Sequence, residues 1–314
     1  MVGGWAAPLN CGFVRPLSRR DWLRTAASAA AALLLPPSGF LYARDPGRRR
    51  LEDWVAALRA EHLATAASPL GRAAVRVGRL AAGTPYQPGA LEAYLREGGS
   101  PRAREPLALA LTHFDCVTLV ESCLAVARTA PGTRAPAWDR FGQEIERMRY
   151  RGGQRGAYAT RLHYFSEWIA DGASRGLVRD LGAELGGIGD DRPLRFMTEH
   201  RASYPALADD TVLAEVAAIE RGLDGRPRRV VPADRIASVA DGIETGDVLA
   251  FATAIPGLDV THSALACRTD DGVLRVLHAP LSGGVVEVTR STLPEYVAAI
   301  RRSTGILVAR PLWD

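Results

Sequence analysis

The sequence predicts an α+β fold in which helices come first along the chain and an antiparallel sheet follows. Apolar residues recur at helical spacing as far as about residue 230. Beyond that point, short β-branched or apolar runs alternate with Gly, Pro or Asp, the pattern of strands joined by turns. Segregated helices and strands are typical of a two-layer domain. We therefore expect a helical part at about 44–230 and a sheet part at about 231–314.

The first 43 residues predict an export signal ahead of that domain. Arg19 and Arg20 precede an uncharged apolar stretch at 25–35, and prolines and the small residue Ala43 follow it. This order resembles a twin-arginine signal peptide, so we expect a periplasmic protein, or an extracellular one where there is no outer membrane. The stretch is too short to span a bilayer, and we expect no stable membrane anchor after cleavage. An ordinary amphipathic N-terminal helix is the alternative.

Charge gives little support for nucleic-acid binding. The formal net charge is +4, but residues 1–43 hold four arginines against one aspartate, which leaves +1 on residues 44–314. No concentrated basic run interleaved with aromatic residues occurs there, so no nucleic-acid partner is expected. Hydrophobic residues make up 47% of the chain, enough for one domain with a large core at 44–314.

The individual elements follow from the same periodicities. Helical spacing predicts helices within 51–82, from Asp115 to about Pro131, and at 138–149, 158–170, 210–221 and 292–302. Strands are predicted at 246–251, 262–268, 273–278, 285–288 and 306–309.

Cys116 is the candidate nucleophile, because it stands at the predicted start of a helix. A thiol attacks well only as a thiolate, and the positive end of a helix dipole stabilises that form. Asp115 is placed to cap the helix. The structural alternative is a small apolar filler. Cys11 leaves with the signal, and the remaining odd set of Cys116, Cys123 and Cys267 is poor material for a disulfide framework.

Two histidines on neighbouring predicted strands complete a catalytic arrangement. The short turn at 269–272 places His278 opposite or diagonal to His262 on one face of the sheet, so that the rings touch. His262 would act as the base and His278 would orient it. Taken singly, a histidine on a strand is more often a structural residue of the core or of a sheet edge. Ala264 and Ala266 share the face of His262, and we expect them to let the nucleophile helix pack closely.

A zinc site is the competing interpretation of these residues, with His113, Cys116, His262 and His278 as ligands. The set lacks a second pair of closely spaced ligands, which structural zinc sites commonly have. We therefore predict neither a metal nor an organic cofactor.

Several segments together carry a resemblance to a known family; they are Gly83–Tyr86, Phe114–Glu121, Tyr150–Gly153, Arg161–Ile169, Gly246–Val248 and the stretch from His262 to Pro280. On these residues the chain resembles the N-acetylmuramoyl-L-alanine amidase-like family, within the papain-like NlpC-type superfamily of cell-wall hydrolases. The resemblance covers about residues 70–312. It implies a papain-like NlpC-type fold, with a nucleophile helix packed on an antiparallel sheet and extra helices around it.

The resemblance also implies roles for particular residues. Cys116 matches the nucleophile, His262 the base and His278 the orienting residue. Tyr86 matches a tyrosine near the nucleophile that helps to bind the substrate or to hold the oxyanion. Asp115 is a second candidate for this role. In the segment Arg161–Ile169, interpreted as a helix, His163 and Tyr164 are candidates for the wall of the substrate cleft; aromatic packing between helices explains them equally well.

The function that follows is an exported cysteine amidase. Its partners would be peptidoglycan or muropeptides, and the N-acetylmuramoyl-L-alanine amide is the favoured bond. A D-glutamyl-diamino-acid endopeptidase, a papain-like acyltransferase and a non-catalytic binding module are the alternatives. No wall-binding repeat is visible, so soluble fragments are expected rather than the intact sacculus.

Overall fold

The computed structural model describes residues 45–226, 228–280 and 284–313. The signal predicted at 1–43 lies outside these residues. Within them, helices pack on an antiparallel sheet, as the predicted α+β class requires. None of the helices in this part of the chain is both long and apolar enough to cross a membrane.

Most helices lie where the periodicity predicts them. The regions 115–131, 138–149, 210–221 and 292–302 each contain one principal helix. The region 51–82 forms two helices, the second starting after Pro69. The helices are α1 (Pro46–Ala60), α2 (Leu70–Leu80), α3 (Ala93–Arg96), α4 (Cys116–Thr129), α5 (Trp138–Arg149), α6 (Phe165–Ser174), α7 (Phe196–Glu199), α8 (Asp210–Gly222), α9 (Ile236–Val239) and α10 (Leu293–Ala299).

The helix predicted at 158–170 is wrong over its first half. Tyr158–Thr160 form a single 3-10 turn, and α6 begins only at Phe165. Between them the chain is extended, because its backbone pairs with the end of α5: the Leu162 N–H donates to the Arg149 carbonyl at 2.9 Å. This tertiary pairing replaces the hydrogen bonds of a helix. Residues 161–164, which include His163, therefore form an extended segment, here called the strap.

The strands form one sheet with the order β2-β3-β8-β4-β5-β6-β7, and β1 pairs with β8 off this path. All pairs are antiparallel. β1 and β2 lie in the part of the chain that was predicted to be helical. The sequence did not reveal them, because a strand of three residues is too short to show a recognisable alternation of apolar and polar residues. The strands are β1 (Val178–Asp180), β2 (Ile188–Asp190), β3 (Arg228–Pro232), β4 (Val248–Thr253), β5 (Val260–Arg268), β6 (Leu274–His278), β7 (Glu287–Val288) and β8 (Ser303–Pro311).

The two faces of β5 bury different helices. Leu265 and Cys267 belong to the core that contains α1, α2, α4 and α5. Ala264 and Ala266 belong to a second core on the other face, with Leu293 and Val297 of α10 among its members. The expectation that Ala264 and Ala266 face the nucleophile helix is therefore wrong, because neighbouring residues of a strand alternate between its two faces.

A third, smaller core joins the helices of the 158–223 region. It is built around Tyr158, Tyr164, Met197, Leu207 and Val216, and Leu258, just before β5, packs against it. This contact brings the helical region to the end of β5 that carries His262.

Candidate functional site

Cys116 is the first residue of α4, and a complete capping box fixes the helix start. The Asp115 carboxylate accepts the backbone N–H of Thr118 at 2.7 Å, and the Thr118 hydroxyl lies 2.8 Å from the Asp115 N–H. Asp115 thus orients the helix start. The Cys116 side chain is partly exposed, whereas Cys123 and Cys267 are buried.

The structure brings the two predicted histidines into contact. The register pairs Leu265 with Leu277, which places His278 diagonal to His262 on the same face. Nε2 of His262 lies 2.9 Å from Nδ1 of His278. The His262 ring also stacks on Phe251, with ring centres 5.7 Å apart. Contact between the rings, as predicted from the hairpin, is confirmed.

Tyr296 is a member of this group that the sequence analysis missed. Its hydroxyl lies 3.2 Å from Nδ1 of His278, and its ring meets the edge of the same imidazole. The only signal in the sequence was position: Tyr296 lies on the face of α10 that buries Leu293 and Val297.

A cavity of about 120 Å³ joins the thiol and the first histidine. Most of its wall is apolar. Its described lining consists of Cys116, Val117, Leu162, His163, Phe165, Trp168, Leu258, Asp259, Val260, Thr261, His262 and Ser263.

Of the two residues predicted to form the wall of the substrate cleft, His163 lines the cavity and Tyr164 does not. His163 lines the cavity, and its Nε2 lies 3.0 Å from the Tyr158 carbonyl. Because a carbonyl only accepts, this nitrogen carries the proton and Nδ1 is left as an acceptor. Tyr164 is buried in the third core, where its hydroxyl donates to Glu220 at 2.7 Å. The prediction that Tyr164 lines the substrate cleft is therefore wrong.

Tyr86 is not among the cavity's described lining residues, but it lies within electrostatic reach of the thiol. Its N–H donates to the Gly284 carbonyl at 2.7 Å, and a backbone bridge joins it to Phe114. Burial raises the pKa of the Tyr86 hydroxyl, and negative charge on Cys116 and Asp115 adds to that rise.

Burial controls the charge of the central groups. It raises the pKa of the Cys116 thiol to about 11, assisted by Asp115 and opposed by the amide and hydroxyl of Ser263. It lowers the pKa of His262 to about 4. The pKa of His278 falls to about 3 because of burial and the neighbouring His262. At neutral pH the site holds a thiol and neutral imidazoles, rather than the thiolate expected from the helix start.

The four residues of the competing zinc interpretation do not come together. His113 lines a separate cavity beside Thr118 and Ser122, away from the one that joins Cys116 and His262. Within the ranges that the structure describes, no group of three or more His, Cys, Asp or Glu side chains is placed to hold a metal ion.

Comparisons with known proteins agree with this architecture. A family model described as N-acetylmuramoyl-L-alanine amidase-like matches residues 76–306. The solved structure of an N-acetylmuramoyl-L-alanine amidase from Bacteroides uniformis is 28% identical, with a TM-score of 0.70 over 77% of this chain and 99% of its own. A Bacteroides fragilis protein solved under the name of a xylanase is 31% identical, with a TM-score of 0.67 over 74% and 98%.

A structure from Legionella pneumophila shares the fold at 16% identity, with a TM-score of 0.61 over 84% of this chain and 94% of its own. A search of curated proteins finds no match. The fold and the family model define an amidase-like protein of the α+β class. Because the family model spans well over half of the sequence, the chain belongs to the N-acetylmuramoyl-L-alanine amidase-like family, which confirms the resemblance seen in the sequence.

Proposed function

We propose that this protein is a cysteine amidase of papain-like design that cleaves the amide between N-acetylmuramic acid and L-alanine in muropeptides. Cys116 is the nucleophile, His262 the base and His278 the residue that orients the base. The observation that carries the proposal is that Cys116 and His262 line the same cavity. Nδ1 of His278 lies 2.9 Å from Nε2 of His262, on the far side of the base from the thiol's proton acceptor Nδ1.

The first step transfers a proton and forms a bond. Nε2 of His262 is engaged by His278, so Nδ1 is the nitrogen left to take the thiol proton. Because the resting thiol and imidazole are neutral, the proton leaves as sulfur attacks the lactyl carbonyl carbon, and no stable ion pair forms beforehand.

The remaining steps return the site to its starting state. The tetrahedral intermediate expels the L-alanine nitrogen, which takes the proton from His262, and a thioester to Cys116 remains. Water then attacks the thioester, with His262 accepting its proton. The carboxylic acid leaves, and the proton returns to the sulfur.

Donors for the substrate oxygens are at hand. The backbone N–H of Cys116 at the start of α4 would bind the oxyanion, with the Tyr86 hydroxyl as a second donor. The indole N–H of Trp168 is buried and has no hydrogen-bond partner among the described residues, and it belongs to a cavity-lining side chain. We assign it to a carbonyl group of the substrate.

The charge of the cavity favours the amidase over the endopeptidase. A D-glutamyl residue joined through its side-chain carbonyl keeps a free α-carboxylate within the acyl group that would enter the site, and that charge calls for a cationic partner. Among the described lining residues there is no arginine, and Asp259 supplies a carboxylate instead. The lactyl and L-alanyl groups both carry a methyl group, which suits walls such as Val117, Leu162 and Phe165.

A xylanase activity fits these residues less well. Glycosidases commonly use two carboxyl groups about 5–10 Å apart. Asp259 is the one carboxylate among the described lining residues, and its oxygens accept the N–H groups of Ser166 and Val260.

The test is mass spectrometry of defined muropeptides incubated with wild-type protein, Cys116→Ala and Cys123→Ala. Cys123 is a matched thiol on the same helix that is buried outside the cavity. We expect free peptides beginning with L-alanine from the wild type and Cys123→Ala only. Cleavage inside the peptide would establish the endopeptidase. Acylated product when an amine is supplied would establish the transferase, and equal turnover by Cys116→Ala would refute cysteine catalysis.

We also propose export by the twin-arginine route, supported by Arg19 and Arg20 ahead of the uncharged stretch 25–35. Replacing both arginines with lysine should retain a reporter fused to residues 1–43 inside a host that has this route. Export of the variant at the wild-type level would contradict the proposal.

A further inference from the structure

His278 has one nitrogen that its known contacts leave unexplained. The side chain is only 2% exposed, and Nε2 has no hydrogen-bond partner among the described residues. The β6–β7 register places Glu287 directly opposite His278, with a carboxylate oxygen 3.8 Å from Nε2. Glu287 is half-exposed, so its side chain has room to shorten this distance. A buried polar atom facing a movable carboxylate calls for a functional account.

Two arrangements of protons are possible along the chain from His262 to His278. In the first, Nδ1–H of His278 donates to Nε2 of His262, which forces the proton of neutral His262 onto Nδ1. That form of His262 cannot take the thiol proton. In the second, Nε2–H of His262 donates to Nδ1 of His278, and Nδ1 of His262 is free to act as the base.

The carboxylate of Glu287 selects the second arrangement. There, His278 carries its proton on Nε2, pointing at the Glu287 carboxylate. In the first arrangement a lone pair would face that negative charge. The hydroxyl of Tyr296, 3.2 Å from Nδ1 of His278, can donate to that nitrogen in the second arrangement or accept from it in the first. It shares the nitrogen with His262 in both cases, so it does not discriminate between the two arrangements.

We propose that Glu287 is a positioning residue that fixes the tautomer of His278 and thereby frees Nδ1 of His262 as the base. This role rests on the proposed function of the site. Glu287 acts through His278, since it is not among the described residues that line the cavity with Cys116 and His262.

The tautomer itself is the first readout. The full chain, labelled with ¹⁵N-histidine, gives two-bond ¹H–¹⁵N correlations that distinguish Nδ1–H from Nε2–H in a neutral ring. The protein has six histidines, and the signal lost in His278→Gln identifies His278. We expect Nε2–H in the wild type and a detectable Nδ1–H population in Glu287→Ala. Glu287→Gln keeps an oxygen acceptor and should retain the wild-type tautomer.

Kinetics give the second readout. We expect kcat to fall about tenfold in Glu287→Ala with KM nearly unchanged, and most of the loss to be restored in Glu287→Gln. Glu215→Ala, which removes an exposed carboxylate on α8, is the matched control and should leave kcat unaltered.

The two readouts separate the possible failures. Nδ1–H on His278 in the wild type, an unchanged tautomer in Glu287→Ala, or an unchanged kcat in an enzyme that turns over would each overturn the role of Glu287. A tautomer change in a protein that turns over no muropeptide supports that role and counts instead against the proposed amidase.

Discussion

The thiol of Cys116 experiences opposing influences at the start of α4. Backbone N–H groups of the first turn favour a negative sulfur, and the amide of Ser263 adds to them. Burial and the carboxylate of Asp115 oppose it and raise the thiol pKa to about 11. Asp115, which organises the helix start, therefore adds to the effect of burial in favouring the protonated thiol.

Asp115→Asn separates these two effects. Asparagine caps a helix about as well as aspartate, so α4 should keep its start while the negative charge disappears. Since that charge raises the thiol pKa, its removal lowers the pKa, and alkylation of Cys116 by iodoacetamide near pH 8 should accelerate about fivefold, the factor that about 1 kcal/mol of charge repulsion represents.

The alkylation rate of the wild type should rise steadily with pH from 6 to 9, because the thiolate fraction grows throughout that range. A plateau below pH 7 would instead reveal a preformed thiolate. Asp115→Ala is the control for the cap: it loses the same charge but should also destabilise the protein by about 1 kcal/mol.

At the scale of elements, α4 is tied to α5 by a buried ion pair. Arg149 of α5 lies 2.7 Å from Glu121 of α4, and their side chains are 4% and 1% exposed. A pair of this kind adds little to stability when compared with an apolar pair, but removing one partner leaves a charge stranded in the core.

Arg149→Met should therefore lower the free energy of unfolding by about 3–5 kcal/mol, measured by urea denaturation. Adding Glu121→Leu should recover much of the loss, because no buried charge then lacks a partner. Arg76→Met is the matched control: its pair with Glu61 is exposed, and its loss should cost at most about 1 kcal/mol. Equal losses at Arg149 and Arg76 would contradict this account.

The sequence predicted those parts of the site that depend on local pattern. The helix start at Cys116 followed from a capping residue before an apolar period, and the contact between His262 and His278 followed from a short hairpin. The strap carrying His163 was misread, because its conformation depends on backbone pairing with α5. Tyr296 and Glu287 were missed because only the packing of α10 and the β6–β7 register bring them to His278.

At the scale of the whole molecule, one close approach of backbones joins the helical layer to the sheet. Gly246 precedes β4 with φ of +92°, and a Cβ there would lie 2.1 Å from the Cα of Gly71 in α2. Both glycines are buried, and no side chain fits between them. The Gly-Asp-Val motif at 246–248 is thus a packing requirement.

Gly246→Ala should destabilise the fold by about 3 kcal/mol or more, because strain at positive φ adds to the overlap with α2. Gly272→Ala isolates the strain at positive φ, because the φ of Gly272 is +78° but a Cβ there meets nothing within 4 Å. We expect this variant to lose about 1–2 kcal/mol of the free energy of unfolding. Chemical denaturation of both variants measures the difference. Equal costs would show that the contact with α2 contributes nothing.

The position of β8 in the sheet governs when the candidate site can assemble during synthesis. β8 follows every other strand along the chain, yet it lies between β3 and β4. During synthesis β4 therefore lacks its neighbour on one side until residues 303–311 have emerged, and β5, with His262, depends on β4 for its own place. Helices with local contacts form early, whereas this long-range pairing comes late. Cys116 and His262 therefore come together only when the last strand has docked, and the proposed hydrolysis would begin no earlier.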